Sequence, residues 1–191
     1  MVEEYEVEIK LPVSDIASTE ETLLEHGAVP MNSEVQRDTY YDHPCRSLGD
    51  TDEAVRIRDR EVLSGVDHAL AHPLVELTYK GPKVDSHTKT REEYSVGVFN
   101  AEGLRRILLS TGFVEVATVV KKRRFFDLGE IVISLDDVAD VGSFIEFESL
   151  ASGKVAMEEA REKIVSVATK LGFDTKTMVR ESYLEMYLKK R

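Results

Sequence analysis

Residues 6–10 read Glu-Val-Glu-Ile-Lys, with charge on alternate positions and aliphatic side chains between them. A strand sends successive side chains to opposite faces, so Glu6, Glu8 and Lys10 share one face while Val7, Ile9 and Leu11 share the other. Taken alone, the charged face would be the wet side of a half-buried sheet. The pattern recurs, however, at Arg56 and Arg58 in EAVRIRDR, Thr78 and Lys80 in VELTYK, Arg91 and Glu93, Lys121 and Arg123, and Glu146 and Glu148 in FIEFES. Paired carboxylates suit a hard divalent cation, and a set of lysines and arginines suits phosphate oxygens. Together they suggest a site for a metal-bound polyphosphate.

Outward from that segment, strands are expected over residues 3–11, 33–42, 53–61, 74–80, 91–98, 113–126, 130–136 and 143–149. Pro12 closes the first. Asp15 to His26 reads as a helix capped by Ser14 or Asp15 and stopped by Gly27, with Ile16, Leu23 and Leu24 as its apolar stripe. Asn100 caps a short helix carrying Leu104, Ile107 and Leu108. Val155, Ala160, Ile164, Ala168 and Leu171 describe an amphipathic helix that Gly172 ends, and a final helical segment follows from about Thr177. Residues 62–73 and the stretch 81–90, where Gly81-Pro82 breaks the pattern, read as loops. Neighbouring strands with short connections favour an antiparallel sheet in an α+β arrangement. A barrel would give both strand faces a role, the aliphatic one outward against helices and the charged one inward. A lipid-binding barrel would need the reverse.

The chain has 191 residues, 42% hydrophobic and 32% charged, as expected of one globular domain over residues 1–191. No apolar run approaches the roughly 20 residues of a membrane span. The first residues lack a signal peptide's basic and apolar regions, and the single cysteine, Cys45, excludes an internal disulfide. These features point to a cytoplasmic protein with no membrane partner. The net charge of −11 argues against nucleic-acid binding, which needs a basic surface. An anion site on so acidic a protein must be a local basic enclosure.

These residues together resemble the CYTH superfamily, the triphosphate tunnel metalloenzymes. The family's E-x-E-x-K opening is matched by Glu6, Glu8 and Lys10, its R-x-R strand by Arg56 and Arg58, and its lysine strand by Lys80. Its R-x-E strand is matched by Arg91 and Glu93, and its K-x-R strand by Lys121 and Arg123. The closing pattern is matched by Asp136, Val138, Gly142, Phe144, Glu146 and Glu148. The stretch Gln36–Asp42 and Ser182-Tyr183 further resemble the class IV (CyaB-like) adenylyl cyclase branch; thiamine triphosphatases share the same tunnel. The resemblance implies an eight-stranded antiparallel β-barrel with flanking and C-terminal helices, its lumen a tunnel open at both ends that binds a triphosphate with Mg²⁺ or Mn²⁺. It implies that Lys10, Arg56, Arg58, Lys80, Arg91, Lys121 and Arg123 bind substrate, with Lys10, Arg58 and Lys80 in catalytic roles. It also implies that Glu6, Glu8, Asp136, Glu146 and Glu148 hold the metal.

Plainer readings compete at several positions. Arg56 and Arg58 could make surface ion pairs with Asp52, Glu53 or Asp59. Lys122 and Arg124 offer the K-x-R spacing one residue later, with one pair pointing inward and the other outward; the inward pair is assigned to Lys121 and Arg123. Glu93 could orient Arg91 instead of touching metal, Asp137 competes with Asp136, and Glu76 could join the lumen or its mouth. Tyr40, Tyr41 and Tyr183 read as packing residues. The five histidines and Cys45 read as surface groups. The expected activity is conversion of ATP to cyclic AMP and pyrophosphate, with hydrolysis of thiamine triphosphate, tripolyphosphate or a nucleotide as the alternative. A non-catalytic polyphosphate-binding module comes third, and a homodimer is an open expectation.

Overall fold

A computed structural model describes residues 4–65, 73–83 and 91–191. It contains eight strands: β1 (Glu4–Pro12), β2 (Val29–Asp42), β3 (Ala54–Ser64), β4 (Val75–Lys83), β5 (Arg91–Val98), β6 (Val114–Leu128), β7 (Ile131–Val138) and β8 (Gly142–Ser152). Four helices accompany them: α1 (Ile16–Glu25), α2 (Ala101–Ser110), α3 (Lys154–Lys170) and α4 (Tyr183–Lys189). All ladders are antiparallel, in the order β1-β8-β7-β6-β2-β3-β4-β5. The sheet curls into a half-barrel until edge strands β1 and β5 approach each other. No ladder joins those two strands among the described residues.

Period-two patterning decides which face goes where. Val7, Ile9 and Leu11 of β1, Ile133 and Leu135 of β7, and Ile145 and Phe147 of β8 form the convex face and are essentially inaccessible. Leu23 of α1 and Ala160, Ile164 and Ala168 of α3 cover them, each large aliphatic contributing about 1.5–3 kcal/mol on burial. Asp15 caps α1 by accepting hydrogen bonds from the amides of Ala17 and Ser18. Gly27 ends it at φ +86°, a conformation that glycine adopts without strain. A smaller cluster of Tyr41, Ile57 and Leu108 lies under α2.

Several boundaries differ from expectation, among them the end of β4, which runs through Gly81-Pro82 to Lys83 where a loop was expected. β2 begins at Val29, because Val29 and Pro30 already pair with Asp127 and Phe126 of β6. β3 runs on to Ser64, into what read as a loop; the rest of that loop, 66–72, lies outside the described residues. The last helix starts at Tyr183, not near Thr177. Ser182 and Glu185 form a reciprocal capping box there, while Val179 donates its amide to the Lys10 carbonyl at 2.8 Å and holds the preceding chain out of helix. Tyr183 and Tyr187 of α4 then pack with Tyr40, Val119, Val138 and Phe144. Thus α4 lies at one end of the half-barrel, where Tyr183, Leu184, Glu185 and Leu188 line its cavity. No described helix is long and apolar enough to cross a membrane.

Candidate active site

The concave face encloses a cavity of about 1170 Å³. Glu6, Glu8, Arg56, Arg58, Lys80, Arg91, Glu93, Lys121, Arg123, Glu146 and Glu148 all line it, from six different strands. Alternation brings them to one face, and curling turns them toward one another.

Strands β3 and β6 flank β2, and together they build a basic wall. Arg56, Arg58, Lys121 and Arg123 are each buried to within 9% exposure, so their charge must be answered inside the protein. Asp38 of β2 answers it for three of them. Arg58, its cross-strand partner, donates Nε and Nη2 to the two Asp38 oxygens at 2.6 and 2.7 Å. Lys121 Nζ lies 3.4 Å and Arg56 Nη1 3.6 Å from the same carboxylate. Burial works to raise the Asp38 pKa, but Arg58, Arg56 and Lys121 overcome it and hold the group well below its ordinary value. Lys121 is pushed down to about 7, by burial first and then by Arg123 and Arg58. Arg123 donates Nε to Asp136 at 2.6 Å and Nη2 to both Asp136 and Glu146. Asp136, which is wholly buried, also accepts from the Tyr183 hydroxyl at 2.7 Å, so it stands behind the guanidinium and not on the cavity surface. Asp137 is exposed.

An acidic wall faces this one from β1 and β8. Glu8 and Glu148 are direct cross-strand partners, as are Lys10 and Glu146. Glu148 is pushed up to about 8, by burial first and then by the like charges of Glu6 and Glu8. A divalent cation would relieve that crowding with hard oxygen ligands, which is the donor chemistry of Mg²⁺ and Mn²⁺. Glu6, Glu8 and Glu148 therefore fit such an ion chemically. Among the described residues no group of three or more His, Cys, Asp or Glu stands ready-made as a metal site.

The remaining site residues sort by register. Lys80 and Glu93 are cross-strand partners and form an ion pair, and Glu93 also approaches Arg56 Nη2 at 3.8 Å. Of the two roles open to Glu93, orienting Arg91 is not the one its contacts show, because Arg91 reaches Asp52 at 3.4 Å, beside Lys83 at 2.7 Å. Glu76 lines the cavity between Arg56 and Arg60. Lys10 is 1% exposed and does not line the cavity. Its Nζ donates to the Glu181 carbonyl and lies 4.1 Å from the Tyr183 ring centroid.

Burial and pairing also decide the positions where two residues competed. Lys122 is exposed and Arg124 pairs with Glu20 of α1 on the outside, so the inward pair is Lys121 and Arg123. Of the carboxylates considered as surface partners for Arg56 and Arg58, Glu53 pairs with Arg46 and Asp52 with Lys83 and Arg91. Tyr40 and Tyr183 line the cavity as well as packing, whereas Tyr41 packs beneath α2. Cys45 and His26 are exposed, and His43 packs edge-on against Phe113. His68, His72 and His87 lie outside the described residues. Sequence reading missed Glu34, Gln36 and Asp38 on β2 and Arg60 on β3, all of which line the cavity. The signal was present as the same alternation, Glu34-Gln36-Asp38-Tyr40, one face of a strand recognised instead by Val35, Thr39 and its tyrosines.

The CYTH domain family matches residues 4–183. A protein of Methanocaldococcus jannaschii that carries a provisional adenylate cyclase name is 34% identical over 95% of this chain and 97% of its own. A Pyrococcus horikoshii protein of solved structure is 38% identical and superimposes with a TM-score of 0.86, covering 97% of this chain and 99% of its own. A Hippeastrum protein, provisionally an adenylyl cyclase and described as having a dominant triphosphatase activity, shares the fold at 15% identity and a TM-score of 0.68, over 98% and 96% of the two chains.

Proposed function

The chain belongs to the CYTH domain family, and from that premise we propose that it is a Mg²⁺- or Mn²⁺-dependent enzyme converting ATP to cyclic AMP and pyrophosphate. The observation that carries this reading is the opposition of two walls across one cavity, Arg56, Arg58, Lys121 and Arg123 on one side and Glu6, Glu8 and Glu148 on the other. A polyphosphate with a divalent cation is the ligand that satisfies both at once. The name of the M. jannaschii relative supports cyclisation.

In that reaction the ribose 3′-hydroxyl gives up its proton to water as its oxygen attacks the α-phosphorus, the bond from that phosphorus to the oxygen bridging the β-phosphate breaks, and the electron pair leaves with pyrophosphate. Positioning and charge neutralisation dominate such transfers. Arg58 and Arg123 are clamped by Asp38 and Asp136, so their outward N–H groups are pre-aimed at phosphate oxygens. Arg56 and Lys80 extend the cradle along the chain of phosphates. Lys121, held near 7, is the cavity cation whose proton can move at neutral pH toward the leaving pyrophosphate. When bound, the metal supplies further charge neutralisation on the phosphate oxygens. Lys10 takes part only if the Glu181–Tyr183 segment shifts and frees its Nζ from the Glu181 carbonyl.

The Hippeastrum protein's described activity favours a second reading, in which water replaces the ribose hydroxyl and attacks the terminal phosphate of an organic triphosphate or of tripolyphosphate. Incubating the purified protein with ATP and Mg²⁺ or Mn²⁺ separates the two. Cyclic AMP with pyrophosphate identifies a cyclase, and ADP with phosphate a triphosphatase. Absence of turnover with ATP, thiamine triphosphate and tripolyphosphate would overturn the enzymatic reading and leave a binding module.

A further inference from the structure

Of the residues that the alternating pattern singles out, Thr78 is the one without a charge, and it is wholly buried at 0% exposure. It shares a face of β4 with Glu76 and Lys80, but unlike them it does not line the cavity. Its hydroxyl lies 3.2 Å from Arg56 Nη2, 3.0 Å from Glu76 Oε1 and 3.0 Å from Ser95 Oγ. Register builds this row: Tyr40 of β2, Arg56 of β3, Thr78 of β4 and Ser95 of β5 are successive cross-strand partners. A guanidinium can only donate and a carboxylate can only accept, so Thr78 accepts from Arg56 and gives its single proton to Glu76. One hydroxyl does both; an aliphatic side chain of the same shape does neither.

Arg56 is thereby held unlike its neighbours on the basic wall. Arg58 and Arg123 each drive two nitrogens into one carboxylate. Around Arg56 the carboxylates of Asp38, Glu76 and Glu93 stand off at 3.6, 3.8 and 3.8 Å, and Thr78 and Tyr40 supply its hydrogen bonds instead. A neutral hydroxyl fixes a guanidinium without cancelling its charge, whereas a carboxylate forms the stronger, charge-assisted pair. Glu76 Oε1, the oxygen 3.8 Å from Arg56 Nη2, is the one already engaged by Thr78.

We propose that Thr78 is a positioning residue for Arg56: its hydroxyl fixes the guanidinium and, by engaging Glu76 on its other side, keeps that carboxylate from closing on a cation meant for phosphate. The proposal rests on the triphosphate reading above, in which Arg56 touches substrate and Thr78 acts through it. Loss of the hydroxyl would leave Glu76 Oε1 short of a donor beside Arg56 Nη2. A short movement would then turn that 3.8 Å approach into a direct salt bridge, which competes with the substrate for the same N–H groups.

The test is calorimetric binding of the non-hydrolysable, methylene-bridged analogue of tripolyphosphate with Mg²⁺, with urea unfolding of each variant to keep a folding loss apart from a binding loss. Thr78→Val should weaken binding about tenfold, the worth of one hydrogen bond to a charged group. Thr78→Ala should do the same without valine's second methyl, and Thr78→Ser, which keeps the hydroxyl, should restore binding. Adding Glu76→Gln to Thr78→Val should regain most of the loss, and should gain far more there than in the wild-type background, a coupling that the double-mutant cycle reads directly. A residue that only supports the fold predicts the reverse, a further loss when a second buried partner is removed. Wild-type affinity in both Thr78→Val and Thr78→Ala, no restoration by Thr78→Ser, or additive effects of the Thr78 and Glu76 changes would overturn the role of Thr78. Failure of the wild-type protein to bind the analogue would instead bring down the triphosphate reading itself.

Discussion

The two walls of the cavity are stabilised in opposite ways. The basic wall arrives with its counter-charges built in, since Asp38 holds Arg58 and Asp136 holds Arg123 beneath the surface. The acidic wall crowds Glu6, Glu8 and Glu148 until the last is pushed up to about 8. One wall is a template whose guanidiniums are held by carboxylates before ligand comes; the other gains its full charge only when a cation arrives. The lesson is that a site for a metal-bound anion need not be neutralised symmetrically, and the asymmetry says which partner organises which side.

The strongest way to break this comparison is at Asp38. Asp38→Asn leaves three buried cations without their shared counter-charge and should cost about 3–5 kcal/mol of stability, read by urea unfolding. A loss below about 1 kcal/mol, the worth of a surface pair, would show that the basic wall is solvated and not templated. Next comes the acidic wall. Glu8→Gln or Glu148→Gln should reduce turnover about a hundredfold at limiting metal while the fold survives, because a neutral amide is a poorer Mg²⁺ ligand. Wild-type activity in both would remove the metal from this wall.

Smaller effects sharpen the contrast. Tripolyphosphate at a hundredfold excess over its dissociation constant should add about 2.7 kcal/mol, raising the melting temperature by several degrees where equal ionic strength of sodium chloride does much less. Arg58→Ala combined with Lys80→Ala should shrink that shift, and a melting curve indifferent to tripolyphosphate would sink the template idea. The smallest effect is in protons. Between its ordinary 4.5 and about 8, Glu148 keeps in the native state a proton that the unfolded chain has released, so it lowers stability as pH rises through that window. Lys121 does the reverse. From about 7 to its ordinary 10.5 the unfolded chain holds a proton that the native state lacks, so stability recovers as pH rises. Glu148→Gln should flatten the first slope and Lys121→Met the second, measured as melting temperature against pH. A slope unchanged by its own substitution would assign the titration elsewhere.

Much of this was legible in the chain itself because side chains alternate along a strand wherever no bulge shifts the register, so Glu6-x-Glu8 or Arg56-x-Arg58 declares a charged face wherever the strand goes. What alternation cannot say is which strands become neighbours. Asp38 matters because β2 sits between β3 and β6, and Glu93 meets Lys80 because register, not adjacency, selects its partner. The start of α4 was also hidden. Thr177 to Glu181 carries helix-compatible residues, but Val179 donates to the Lys10 carbonyl and Glu181 accepts from Lys10 Nζ, bonds across the length of the chain that hold the stretch against β1.

The pairing of β1 with β8 has a consequence for biosynthesis. Of the eight described strands the earliest in the chain, Glu4–Pro12, finds its ladder partner only when Gly142–Ser152 has emerged. At about 5–20 residues per second that wait is on the order of ten seconds. Throughout it Glu8 has no Glu148 opposite, and Lys10 has no Glu181 carbonyl to bond. A nascent chain therefore holds a basic wall without a paired acidic one, so competence to capture a metal-bound ligand is withheld until Gly142–Ser152 has been made.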